Sequence, residues 1–215
     1  MSYDFRTRIS EDLRRTNILN DFLDHKFYGK HNFPYTRVYD KETQVKGVDI
    51  KFSVGDKTYI CDEKSATSYM GKELNTFCLE LFQKTKSYNS VGMDGWFLSD
   101  KNINDSYLFV WVDELHTDGD IKSYKDIKKA EVCLVRKERL LKYLSNYGFN
   151  KDYLKTLSKD MFAKGTGEVY IGKGTVSTKG LKVKQNLHMS ENPINLLLSR
   201  NVYRRLADIN EVINC

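Results

Sequence analysis

Proline is nearly missing from this chain, with two in 215 residues, so no Pro-rich linker divides it. Cysteine is scarce and scattered. Cys61, Cys78, Cys133 and Cys215 form no CxxC pair, which argues against a zinc site or a disulfide framework. Reduced thiols in a cytoplasmic protein are the default expectation. No apolar run approaches the ~20 residues of a membrane-spanning helix. The opening stretch MSYDFRTRISEDLRR also lacks the apolar segment of a signal peptide, so no membrane partner is expected.

Other absences narrow the chemistry. His25, His31, His116 and His188 lack the spacing of a zinc helix motif. GEVYIGKG at 167–174 nearly spells a phosphate loop, but Gly174 stands where Ser or Thr is required and EVYI is strand-like. Gly165-Thr166-Gly167 lacks the third glycine of a dinucleotide fingerprint. No GxSxG elbow occurs.

What is present describes a folding chain with a basic surface. Hydrophobic residues make up 40% and charged residues 30%, a balance that builds a core and excludes disorder. The net charge of +6 is compatible with a polyanionic partner such as nucleic acid. Basic residues cluster at Arg6, Arg8, Arg14 and Arg15, at 122–129, at Lys179, Lys182 and Lys184, and at Arg200, Arg204 and Arg205. Most of these are ordinary solvated faces, and none is assigned a DNA contact.

Apolar spacing predicts a helix over 9–28, ended by Gly29 and Pro34. Strands are expected at 35–39, 47–54 and 57–66, the last two joined by a two-residue turn at Gly55-Asp56. A helix is predicted over 73–87, from Leu74, Phe77, Cys78 and Leu81. Strands follow at 95–100, 106–115 and 130–135, with 116–129 a loop. The 106–115 run is apolar enough for a central strand. Helices are expected at 137–148, 151–162 and 200–212, with a strand-like stretch over 165–199. This order predicts a mixed α/β (α+β) fold, with a central mixed sheet flanked by helices. The expected organisation is a core at residues 1–135 and a C-terminal β/α extension at 136–215, packed on the same domain.

The informative residues are Gly47-Val48-Asp49-Ile50 and Cys61-Asp62-Glu63-Lys64. Strand alternation puts Asp62 and Lys64 on one face and Glu63 on the other. With a two-residue turn, Val54 pairs with Lys57, and counting outward sets Asp49 opposite Asp62. Two carboxylates facing each other are destabilising unless something pairs with them. Hard oxygen ligands of this kind suit Mg²⁺, with Mn²⁺ as an alternative. A lysine on the same face is placed to assist an attacking water or the charge it creates.

Asp49 followed by Asp62-Glu63-Lys64 resembles the motif of the PD-(D/E)XK nuclease superfamily, although Val48 replaces the proline. The resemblance spans roughly residues 9–115. It implies a restriction-endonuclease-like core and a Mg²⁺-dependent nuclease acting on DNA, as an endonuclease. Catalytic roles would fall to Asp49, Asp62 and Lys64, and metal binding to Asp49 and Asp62. Glu63 is an alternative ligand, through its side chain if the strand is bulged at Asp62, or through its carbonyl. Glu80 is a further candidate, on one helical face with Thr76 and Gln83. Glu11, Asp21 and Asp24 are candidates for an acidic residue from the first helix. Two rival readings are a nuclease fold that binds nucleic acid without catalysis, and a plain salt bridge between strands. The tail is left two roles, a specificity surface or a homodimer interface.

Overall fold

The computed structural model describes residues 5–85, 92–118, 120–170, 181–187, 189 and 191–215, with the backbone alone at 5–9 and 170. Along the chain the elements are α1 (Phe5–Leu23), β1 (Tyr35–Arg37), α2 (Lys41–Val45), β2 (Ile50–Val54), β3 (Lys57–Ser65), β4 (Thr76–Lys84), β5 (Gly92–Asp94), β6 (Ser106–Leu115), β7 (Ile127–Arg136), α3 (Lys137–Ser145), α4 (Lys151–Lys164), β8 (Glu168–Tyr170), β9 (Lys182–Gln185), β10 (Ile194–Ser199), α5 (Arg200–Leu206) and β11 (Ile209–Asn214). The protein is of mixed α/β class, with two sheets among the described residues.

Contacts divide the chain into two units. The first holds Met1–Leu74, Asn104–Val135 and Ala207–Cys215, and the second holds Asn75–Ile103 and Arg136–Leu206. The expected single cut after residue 135 is therefore too simple. Residues 75–103 belong with the later segment, and the last nine residues return to the first unit.

The first unit is built on a six-stranded sheet in the order β1-β2-β3-β6-β7-β11. Ile18, Leu19, Phe22 and Leu23 line one stripe of α1, the i, i+4 spacing of a core-facing helix. The helix then widens into a π-helical turn over Asp24–Tyr28 that buries Phe27 and Tyr28. These side chains share one core with Ile50, Phe52, Tyr59, Cys61, Leu108 and Val110 from the sheet. Phe22, Leu23 and Phe27 are fully buried, which at roughly 1.5–3 kcal/mol each anchors the helix to that face.

The β2–β3 hairpin has the expected register, with Val54 opposite Lys57 and Ile50 opposite Cys61. Gly55 alone in that loop has positive φ, at 57°, as a turn with glycine at its first central position requires. Strand β3 then pairs in parallel with β6, Asp62 lying beside Tyr107. A parallel neighbour needs a long crossover, and here that connection runs through residues 75–103 of the second unit. β6 is central, as its apolar run implied, with seven consecutive buried residues.

The second unit has a sheet in the order β5-β4-β10-β9-β8. The helix expected over 73–87 is in fact β4, paired along its length with β10. Phe77, Leu79 and Leu81 are buried from it, a period of two where the spacing had suggested 3.6. The expected strand at 95–100 is a turn region after β5. The expected loop at 116–129 ends in strand, since β7 starts at Ile127. The expected helix at 200–212 stops at Leu206, and β11 follows, antiparallel to β7. Of the GEVYIGKG stretch, residues 171–174 lie outside the described residues, as do Lys179 and His188.

Candidate active site

Asp62 is the least comfortable residue in the first unit. It is 1% exposed, held by β3 beside Tyr107 of β6. Lys64 Nζ lies 2.7 Å from its Oδ1, as expected for residues two apart on a strand. Its Oδ2 is buried and accepts no hydrogen bond. The carboxylate of Asp49 lies within hydrogen-bonding reach of it and adds like charge. Burial pushes the Asp62 carboxyl up to about 7; Lys64 opposes this and Asp49 reinforces it. A second carboxylate beside a donor-less carboxylate oxygen stays tolerable only with a shared proton or a cation.

Asp49 reaches this position through a bulge. Its N–H donates to the Cys61 carbonyl at 2.9 Å, although Cys61 is the register partner of Ile50. Asp49 and Ile50 thus share one partner, and the irregularity re-aims the side chain. Asp49 Oδ2 accepts the Glu63 N–H at 2.9 Å. The irregularity thus falls at Asp49 and not at Asp62, the place that would have brought the Glu63 side chain forward. It replaces the square Asp49–Asp62 opposition expected from the count, while keeping the two carboxylates together.

Glu63 points the other way, and its carboxylate is already engaged. Tyr28 Oη donates to Oε1 at 2.8 Å, and Arg37 Nη1 donates to Oε2 at 2.7 Å. Burial raises its carboxyl while Arg37 and Tyr28 pull it back down. Arg37 also grips Asp24, at 2.8 Å. Burial works against the guanidinium charge, but the two carboxylates outweigh it and hold Arg37 above its ordinary value. This network fixes Glu63 as a strut behind the hairpin and leaves its side chain badly placed as a metal ligand. Arg37 and Tyr28 were not singled out in the sequence. A lone charge within the short apolar strand Tyr35–Tyr39 was the available signal for Arg37.

The other acidic candidates are engaged elsewhere, exposed, or part of the second unit. Glu11 binds Arg14 and Arg15, Asp24 binds Arg37, and Asp21 is exposed. Glu80 lies on β4 of the second unit, where its carboxylate accepts the Trp96 N–H at 3.4 Å. The strand also breaks the face it was to share with Gln83. The site of the first unit is therefore drawn without Glu80. Among the described residues, no group of three or more His, Cys, Asp or Glu is arranged to hold a metal. A cation here would have two side-chain carboxylates.

A cleft of about 210 Å³ opens beside the pair, bordered by Asp49, Lys64, Glu63 and Arg37 on the sheet side and by α1 opposite. Asp62 stands behind this wall rather than on it. Several basic residues are tied up in ion pairs: Arg14 with Glu11 and Asp120, Lys128 and Lys129 with Glu114, and Lys182 with Glu168. No helix among the described residues is long and apolar enough to cross a membrane.

No family model matches this chain, and no curated protein or solved structure matches it either.

Proposed function

We propose that this chain is a Mg²⁺-dependent nuclease of the restriction-endonuclease-like type, hydrolysing phosphodiester bonds in DNA. One observation carries the reading: Asp62 is buried with a donor-less Oδ2, against a second carboxylate and beside a lysine. Asp49 and Asp62 would hold Mg²⁺, or Mn²⁺, the rest of its shell being water and a phosphate oxygen. The bound ion would supply a water of lowered pKa and offset charge on the phosphoryl oxygens.

The residues of the chain do the remainder. Lys64 Nζ sits beside Asp62 and borders the cleft, where its ammonium can orient a water or neutralise a developing oxyanion. The Glu63 N–H holds Asp49 by its Oδ2, leaving the other oxygen to turn toward a cation. The Tyr28–Glu63–Arg37–Asp24 network locks the strand that carries Asp62 and Lys64. The parallel β3–β6 pair and the helix packed across the hairpin are compatible with such a core.

A second reading has an observation of its own, the 2.7 Å Asp62–Lys64 contact. It makes the pair a structural ion bridge in a protein that binds nucleic acid without cutting it. That leaves the donor-less Asp62 Oδ2, with a second carboxylate beside it, without a reason. Cleavage of plasmid and of single-stranded circular DNA with Mg²⁺ or Mn²⁺ separates the two readings. Wild type is expected to cut at least one of the two and Asp62→Asn to be silent. No cutting of either DNA by wild type, or equal cutting by both proteins, refutes the nuclease.

A further inference from the structure

We infer that the cleft beside Asp49 receives a single unpaired nucleobase, so that the substrate is single-stranded DNA. This rests on the nuclease reading for its polymer and on separate residues for its specificity.

Two of the most exposed large apolar side chains among the described residues border this one cleft. Tyr39 follows β1 and is 82% exposed, and Leu13 on α1 is 61% exposed. Apolar groups gathered around a concavity mark a ligand surface. Between them α1 presents Asn17 and Asn20 to the same cleft. Among the described residues neither side-chain amide makes a hydrogen bond. Each carries a donor and an acceptor, the complement of a base edge. Leu19 and Val110 add apolar lining. A flat apolar lip with paired amides suits a planar heterocycle better than it suits a phosphate.

Size and position complete the argument. About 210 Å³ falls below the ~300–1,000 Å³ of sites for drug-sized ligands. One ring system fits, and a base pair does not. In a duplex, the base's faces and pairing edge are occupied by its neighbours and its partner strand. Asp49 and Lys64 border the cleft as well, so a base held here brings its own backbone to Asp49 and Lys64, with Asp62 behind them. The basic residues bound up in ion pairs leave less charge for tracking a duplex backbone, and stacking is the usual sequence-tolerant contact for a single strand.

The test is fluorescence anisotropy in EDTA, with labelled oligothymidine against the same strand annealed to oligoadenine. The full chain is expected to bind the single strand more tightly. Tyr39→Ala is expected to weaken single-strand binding by about 5- to 150-fold, the range of one lost base stack. Asn17→Ala with Asn20→Ala is expected to narrow the preference for the single strand. Tyr39 and Asn17 are exposed and Asn20 borders the cleft, so a thermal melt of each variant should match wild type. Equal or tighter duplex binding overturns the inference, as does a Tyr39→Ala variant that binds single strands normally. Metal-dependent cutting together with either of those results keeps the nuclease and discards the cleft. Tyr39-dependent single-strand binding by a protein that cuts nothing does the reverse.

Discussion

Replacing Asp62 with asparagine should make the metal-free protein more stable, and increasingly so as the pH rises. The carboxyl of Asp62 is raised from an ordinary 3.8 to about 7, chiefly by burial. Between those values the folded protein holds a proton that the unfolded chain has released. Stability therefore falls as pH rises through that window and levels off above about 7. At 1.36 kcal/mol per pH unit, the accumulated cost by pH 8 is about 4 kcal/mol. The residue is 1% exposed, so solvent screening does little to reduce it. Asparagine stays neutral throughout. Its amide oxygen can still accept from Lys64, and its NH₂ can donate toward Asp49. Urea unfolding in EDTA at steps between pH 4 and 8 measures the gap. Wild type and Asp62→Asn should agree near pH 4, then diverge by about 1.4 kcal/mol per unit toward neutrality. Adding Mg²⁺ at about a hundred times its Kd should return about 2.7 kcal/mol to wild type and nothing to the variant. An asparagine variant that is less stable at pH 8, or a gap that does not move with pH, refutes the reasoning.

Other substitutions test the surrounding structure. Lys64→Met should lower the rate of DNA cleavage by about 10²- to 10⁴-fold, the range for a lost proton-transfer or charge-stabilising group, with single-strand binding in EDTA little changed. Arg37→Ala strands Asp24 and Glu63, the latter with a side chain 7% exposed, and should cost about 3–5 kcal/mol in urea unfolding. Arg37→Lys should recover only part of that, because one ammonium cannot fork to two carboxylates. Gly55→Ala meets no steric contact but holds φ at +57°, so a loss of about 1 kcal/mol is expected from backbone strain alone. Gly95→Ala should be worse, since its added carbon would lie 2.5 Å from the Glu80 carbonyl oxygen; a neutral result in a thermal melt would contradict the placement of that turn.

Local order was readable and remote order was not. The Gly55-Asp56 turn sets the hairpin register by geometry within a dozen residues, which is why Asp49, Asp62 and Lys64 could be brought together by counting. The bulge at Asp49 was not countable, because it depends on where β1 and α2 deliver the chain to Val48. β4 deceived because Leu74, Phe77, Cys78 and Leu81 satisfy a helical spacing. Pairing with β5 and β10, more than a hundred residues away in the latter case, decided the outcome. β11 was hidden in the same way: Arg200–Leu206 is helical, and only pairing with β7 turns the β-branched Ile209, Val212 and Ile213 into a strand. Glu80 was assigned to the site through the mistaken helix, and it moved with the correction.

The first unit is assembled from three separated stretches of chain, and the last of them is β11. On a ribosome the hairpin that carries Asp49, Asp62 and Lys64 would emerge early, with α1 already available to cover it. Strand β7, by contrast, would wait as an open edge while some seventy further residues were made. Completion of the sheet thus waits for a strand far along the chain, and contacts of such sequence separation form slowly. A nascent chain would carry its carboxylate pair long before it had a finished scaffold, a built-in delay between making the pair and holding it in its folded geometry.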